Sequence, residues 1–296
     1  MKEGFFEGDV EHPPLPVGEV LAPGYTIAGH LHQSNNYDVY DVFSEERACS
    51  CIAKARRRDL TDKEAARLAL LREGDLLEGL THPHIARHYE TIREPEPVLI
   101  LETLTGETLA YLIDEGYRRL PLAEVAHLGL HLCSAIHYLH GQGILHLDLK
   151  PSNIVSERGM AKILDLSIAQ APGPCRKGAG TVQYMAPEQV RGDHVDASTD
   201  VWGIGAVLFE AATAEPPFNA EYEDETASEY TTGSSTGTWT DAKIEDYDQI
   251  SRRADPVRAH RRVPAIFNTL IARCLDPDPA KRPSLPELTN GLRSLV

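Results

Sequence analysis

The sequence predicts an α+β fold in two unequal lobes, a strand-rich one over residues 21–102 and a helix-rich one over 106–296. Two observations carry this. Apolar and polar residues alternate through the first third, and apolar residues recur at helical spacing through the last two thirds. The length of 296 residues suits one large domain or two small lobes.

Residues 1–20 hold Pro13, Pro14 and Pro16 among five acids and one lysine. So little apolar surface predicts a disordered acidic arm. From 25 to about 52 the pattern is strand-like: Tyr37, Val39 and Cys51 alternate with polar neighbours, and Asn35-Asn36 marks a hairpin turn. A helix is predicted over 64–80, with Leu70, Glu73, Leu77 and Leu80 on one face and His82-Pro83 ending it. Residues 98–101 read as a short buried strand, and Gly106 marks the change of style. From Leu122 onward, Val125, Leu128, Leu132, Ile136 and Leu139 fall at helical spacing, and His137 and His140 are expected to line that helix where it is buried. The 201–212 stretch is almost wholly apolar, which predicts a deeply buried helix. Residues 219–248 break the pattern. They are acidic at 221–225 and rich in Ser, Thr and Gly at 231–240, and they read as a flexible surface insertion. The next stretch, 251–263, carries Arg252, Arg253, Arg258, Arg261 and Arg262. It is either a solvated helix face or a dock for an acidic partner or for the insertion itself.

Hydrophobic residues at 42% and charged residues at 25% exclude a collagen, a wholly disordered chain and a disulfide mini-protein. No run approaches the roughly 20 apolar residues that span a bilayer, and the N-terminus resembles neither a signal nor a basic transit peptide. The net charge of −16 sits unevenly: −4 in residues 1–20, −8 in 221–248 and about −4 in all the rest. Such a surface suits neither nucleic acid nor anionic membrane as a partner. Five cysteines, an odd number, argue for reduced thiols and a cytoplasmic location. Cys49 and Cys51 share a strand face, and packing is the preferred account of them over metal binding.

The chemistry-bearing block runs over 144–155. A strand enters a loop presenting Asp148, Lys150 and Asn153, and a second strand follows. A carboxylate can accept a hydroxyl proton, an ammonium can neutralise a phosphoryl oxygen, and an amide oxygen can bind a metal. Asp165, at the next strand end, makes with Asn153 a hard-oxygen pair suited to Mg²⁺.

These residues resemble the catalytic core of eukaryotic-type protein kinases of the serine/threonine branch, in their bacterial form, over about 25–296. The catalytic loop stands as His146-Leu-Asp-Leu-Lys-Pro-Ser-Asn153, and Asp-Phe-Gly becomes Asp165-Leu166-Ser167. Ala186-Pro187-Glu188 is intact, Asp200-Val-Trp-Gly-Ile-Gly205 follows, and Arg282 is the late arginine. The resemblance implies a bilobal kinase fold and an ATP- and Mg²⁺-dependent transfer of phosphate to protein Ser/Thr hydroxyls, with autophosphorylation possible. It gives Asp148 the role of base, Lys150 that of steadying the γ-phosphate, and Asn153 and Asp165 that of metal ligands. It pairs Lys54, on the α/β-phosphates, with Glu73. It places Val39 and Ile52 above the adenine and Val155 below, with the backbone at Glu102 and Leu104 as hinge and Leu101 as gatekeeper. It also pairs Glu188 with Arg282.

Two departures matter. The three glycine positions of the phosphate loop hold His32, Ser34 and Tyr37, which favours as an alternative a pseudokinase, an interaction module with weak nucleotide binding. Leu147 replaces the arginine that reads a phosphorylated activation loop, and residues 168–180 contain no Ser, Thr or Tyr. The two absences agree, and they imply activity independent of loop phosphorylation. A small-molecule kinase is a third reading, disfavoured because those relatives lack the motifs at 186–188 and 200–205.

Overall fold

The computed structural model describes residues 13–34, 36–60, 63–114, 119–218 and 247–296. Most of the expected acidic arm, Asn35 of the expected turn and nearly all of the expected insertion lie outside the described residues. The chain divides into two compact units. The first comprises the described residues up to Glu78 with His88–Thr103, and the second Gly79–Arg87 with 104–296.

The first unit is one antiparallel sheet and one helix. Its strands are β1 (Val20–Ala22), β2 (Tyr25–Gln33), β3 (Tyr37–Ser44), β4 (Cys49–Arg56), β5 (His88–Ile92) and β6 (Val98–Glu102), ordered β1-β2-β3-β4-β6-β5. Period-two alternation divides the faces. Ile27, Tyr40, Val42, Cys51, Ala53, Val98 and Ile100 form a core on one face. The cross-strand partners Val39↔Lys54 and Ile52↔Leu101 fall on the other. That face receives α1 (Lys63–Leu77), which buries Leu70, Glu73 and Leu77. Gly74 is required at the contact, because a Cβ there would collide with Thr91 and Leu99. The helix ends three residues before the expected Leu80. Gly79 takes a left-handed φ of 82°, and the chain turns away.

The second unit is mainly helical. A short β7 (Glu107–Thr108) and α2 (Leu109–Asp114) precede α3 (Leu122–Gly141). The hairpin β8 (Ile154–Glu157) and β9 (Met160–Ile163) follows, with β7 beside β8. Next come β10 (Gly173–Pro174), α4 (Pro187–Arg191), β11 (His194–Val195) and α5 (Ala197–Thr213). The small helices α6 (Asp248–Ser251) and α7 (Val257–His260) lead to α8 (Ala265–Cys274) and α9 (Leu285–Arg293). The α5 helix is buried along nearly its whole length, as its apolar sequence demands, and it packs against α3 and α8. Asp196 caps its start by accepting the Ser198 N–H at 2.8 Å. On α3 the expected apolar stripe is buried, but His137 is exposed and His140 is only half-buried. These two histidines edge the stripe rather than lie within it.

Candidate active site

In the first unit, β4 and α1 bring Lys54 and Glu73 together. The Nζ lies 2.8 Å from Oε2 and 3.0 Å from Oε1 of Glu73, whose residue is 2% exposed. Two N–H···O bonds to a buried carboxylate compensate charges that would otherwise be costly there. Val39 and Ile52 share the face of Lys54 and are half-buried. Glu102 ends β6, one residue before the last residue of this unit.

In the second unit the loop around Asp148 is suspended from α5. The buried Asp200 carboxylate accepts the backbone N–H of His146 at 3.0 Å and of Leu147 at 2.9 Å, and its Oδ2 is 2.8 Å from His140 Nε2. Leu147 holds φ at 68°, a left-handed conformation uncommon for a branched side chain. His146 is fully buried. Its Nδ1 accepts the Asp148 N–H at 3.2 Å, so Nε2 carries the proton and donates to Leu164 O at 3.2 Å. Sequence reasoning named His146 only as part of a motif; here it ties the loop to the residue before Asp165.

Four polar groups converge on Asp148. Thr181 donates both its N–H (3.1 Å) and its O–H (2.8 Å) to Oδ1. Lys150 Nζ is 3.1 Å from Oδ2 and donates to Thr181 Oγ1 at 2.8 Å. Asn153 Nδ2 donates to the Asp148 carbonyl (3.0 Å) and to Oδ2 (3.1 Å). The β8–β9 register sets Ile154 opposite Ile163, so Asn153 and Asp165 stand at one end of that hairpin, with Leu164 N–H on Asn153 O at 2.8 Å. Asp165 accepts the Ser167 N–H at 2.9 Å with its own φ at 60°. Val155 is buried in β8, and Leu104 begins the longer segment of the second unit, directly after Thr103.

Three supports surround this loop. Arg282 grips Glu188 by two bonds of 2.6 and 2.9 Å, donates to Asp276 O and Ser198 O, and lies over the Trp202 ring. Gln189 Nε2 donates to Leu147 O at 2.8 Å and Ala179 O at 2.9 Å. Tyr184 donates its O–H to Glu210 at 2.7 Å. Burial pushes the Glu210 carboxyl up to about 7; the Tyr184 bond opposes that rise and the Asp114 charge adds to it.

The protein kinase domain family matches residues 28–291. The chain belongs to that family. The chain is 30% identical over 211 residues to a probable serine/threonine-protein kinase of Streptomyces coelicolor, covering 67% of this chain and 31% of that protein. The serine/threonine-protein kinase PknB of Mycobacterium leprae is 35% identical over 177 residues, 56% of this chain and 28% of that protein. The DNA damage-responsive serine/threonine-protein kinase RqkA of Deinococcus radiodurans is 32% identical over 215 residues, 69% of this chain and 32% of that protein. These matches place the kinase domain among bacterial serine/threonine kinases, and it spans under a third of the length of each. Among the described residues, no helix is long and apolar enough to cross a membrane.

Proposed function

We propose that this kinase domain transfers the γ-phosphate of ATP to serine and threonine hydroxyls of proteins, and that packing rather than phosphate holds its activation segment. The convergence of Lys150, Asn153 and Thr181 on the Asp148 carboxylate carries the reading. Asp148 accepts the proton of the attacking hydroxyl as the new P–O bond forms and the bond to ADP breaks. Lys150 sets a positive charge beside the transferring group. Lys54, fixed by Glu73, presents its ammonium to the α/β-phosphates. Val39, Ile52 and Val155 offer apolar surface to the adenine, and the backbone at Glu102 and Leu104 offers its edge hydrogen bonds.

The donor set fits Mg²⁺. Asn153 turns its amide nitrogen to Asp148, which leaves the amide oxygen as ligand, and Asp165 adds a carboxylate. Phosphate and water oxygens complete such a shell. When bound, the ion neutralises charge on the β- and γ-phosphates.

Packing at Leu147 supports phosphate independence. Its side chain, 5% exposed, clusters with Leu145, Cys175, Ala179 and Val195. The β10–β11 pair (Gly173↔Val195) and the bond from Cys175 N to Asp193 O (3.0 Å) pin the same segment by its backbone. An arginine reading a phosphate would need a polar, open site here.

Phosphotransfer from γ-labelled ATP to a generic Ser/Thr protein tests the activity. Wild type is expected to transfer label, and Asp148→Asn to lose about 10²- to 10⁴-fold. Prior phosphatase treatment is expected to leave the rate nearly unchanged; a hundredfold fall refutes phosphate independence. The pseudokinase reading is favoured by the glycine-free β2–β3 tip, and no transfer by any form would establish it. Whichever reading holds, calorimetry is expected to find Mg²⁺-dependent ATP binding weaker than in a glycine-bearing kinase, with the Mg²⁺ dependence lost in Asp165→Ala; tight binding that ignores Mg²⁺ overturns the assignment of Asp165.

A further inference from the structure

Tyr37 stands where the family's phosphate loop has its third glycine, and the structure gives it contacts no glycine could make. Its residue is 5% exposed. The Lys54 ammonium lies over its ring at 4.9 Å from the centroid. Its hydroxyl donates to Ala66 O in α1 at 3.2 Å. Ser34 closes the strand turn beneath it, its Oγ donating to Tyr37 O and accepting Tyr37 N–H, both at 3.1 Å. Arg57 fastens the same tip by donating to Ser34 O at 3.2 Å and, from its backbone N–H, to Asn36 O at 2.9 Å.

Ala66 and Glu73 are seven residues apart, two helical turns, so they lie on one face of α1 about 10 Å apart along its axis. Apolar packing through Leu70 and Leu77 holds α1 on the sheet, and two directional polar contacts at separate turns of one face add a restraint on its swing and roll. Lys54 holds the Glu73 end and Tyr37 holds the Ala66 end. The aromatic face over the ammonium attracts its charge and shields the ion pair from water. We propose that Tyr37 is a positioning residue that docks the N-terminal half of α1 and steadies the Lys54–Glu73 pair, a task that a glycine at this position would leave to other contacts. This rests on the kinase reading for the purpose of the pair, but not for its geometry.

The test therefore includes readouts that need no catalysis. Hydrogen exchange of α1 amides and the pH profile of Lys54 acylation by an amine-reactive ester, read by mass spectrometry, are compared in wild type, Tyr37→Phe, Tyr37→Leu and Glu73→Gln. Tyr37→Leu is expected to raise both α1 exchange and Lys54 labelling about fivefold or more. Tyr37→Phe, which keeps the ring, is expected to raise α1 exchange while labelling stays within about twofold of wild type. Glu73→Gln is expected to raise both, as a positive control. Wild-type values in Tyr37→Leu overturn the proposal. So does exchange that rises equally in α1 and in the central strands β3 and β4, because that is general destabilisation. Phosphotransfer by the same proteins separates the two ideas: expected exchange and labelling with no transfer by any form fails the kinase reading and leaves the positioning role standing.

Discussion

Leu147 shows what one side chain does to an activation segment. It sits in an apolar cluster and its carbonyl is held by Gln189, so its position is set by packing and by backbone bonds. Leu147→Arg is expected to place a guanidinium where Leu145, Cys175 and Val195 offer it no partner. The penalty is about 2 kcal/mol or more, read as a fall in melting temperature together with proteolysis between 168 and 180. Glu210 makes a separate residue-scale prediction. Its folded pKa of about 7 lies above the ordinary value of 4.5. The folded state therefore binds the proton more tightly, and stability is lost as pH rises from about 4.5 through about 7. The full effect is at most about 3 kcal/mol. Melting curves between pH 5 and 8 are expected to fall more steeply for wild type than for Glu210→Gln, which has no proton to lose; parallel curves refute the assignment.

At the scale of elements, the α5 contact with α8 is set by Gly205. A Cβ there would collide with that of Cys274, so Gly205→Ala trades a helix-propensity gain of about 1 kcal/mol against overpacking of about 1–3 kcal/mol. Gly141, at the end of α3, has open space around its missing Cβ, so the same substitution there is expected to be neutral or stabilising. Denaturant midpoints that move alike in the two variants would refute this account of the contact. These elements also show what a sequence can say. The α3 and α5 helices were legible because long apolar runs at one period admit one burial solution. The grouping of Asp148, Lys150 and Asn153 was legible because three polar residues within six positions of one short loop must lie close together. By contrast, β5 has every residue half-buried and gives no alternation to find. The Tyr37–Ala66 bond joins residues 29 apart in the chain, and the grip of Asp200 on the Asp148 loop spans more than 50. Such contacts exist only once the elements have packed, so local pattern cannot announce them. The motif at Asp200 signalled importance, not the two N–H groups it would accept.

For the whole molecule, the charge distribution sets the last expectation. The body is close to neutral, and half of the net −16 falls in residues 221–248. Nine Ser and Thr side chains lie between 226 and 240, whereas 168–180 has none. Autophosphorylation of this chain is therefore expected within 226–240. Each phosphate would add about −1.5 to −2 charge and needs arginines to receive it. Three of the five arginines over 252–262 are already engaged. Arg261 donates to Leu120 O and Ala212 O, Arg253 to Asp276, and Arg252 to Asp248. Arg258 and Arg262 are exposed and are the pair expected to respond. Mass spectrometry after incubation with Mg-ATP is expected to find phosphate within 226–240, and deletion of 221–242 to remove it without slowing transfer to an added substrate. Replacing both Arg258 and Arg262 by Ala is expected to leave the phosphorylation sites unchanged and to abolish any protection of the phosphorylated segment from protease. Phosphate found only outside 226–240 would overturn the assignment.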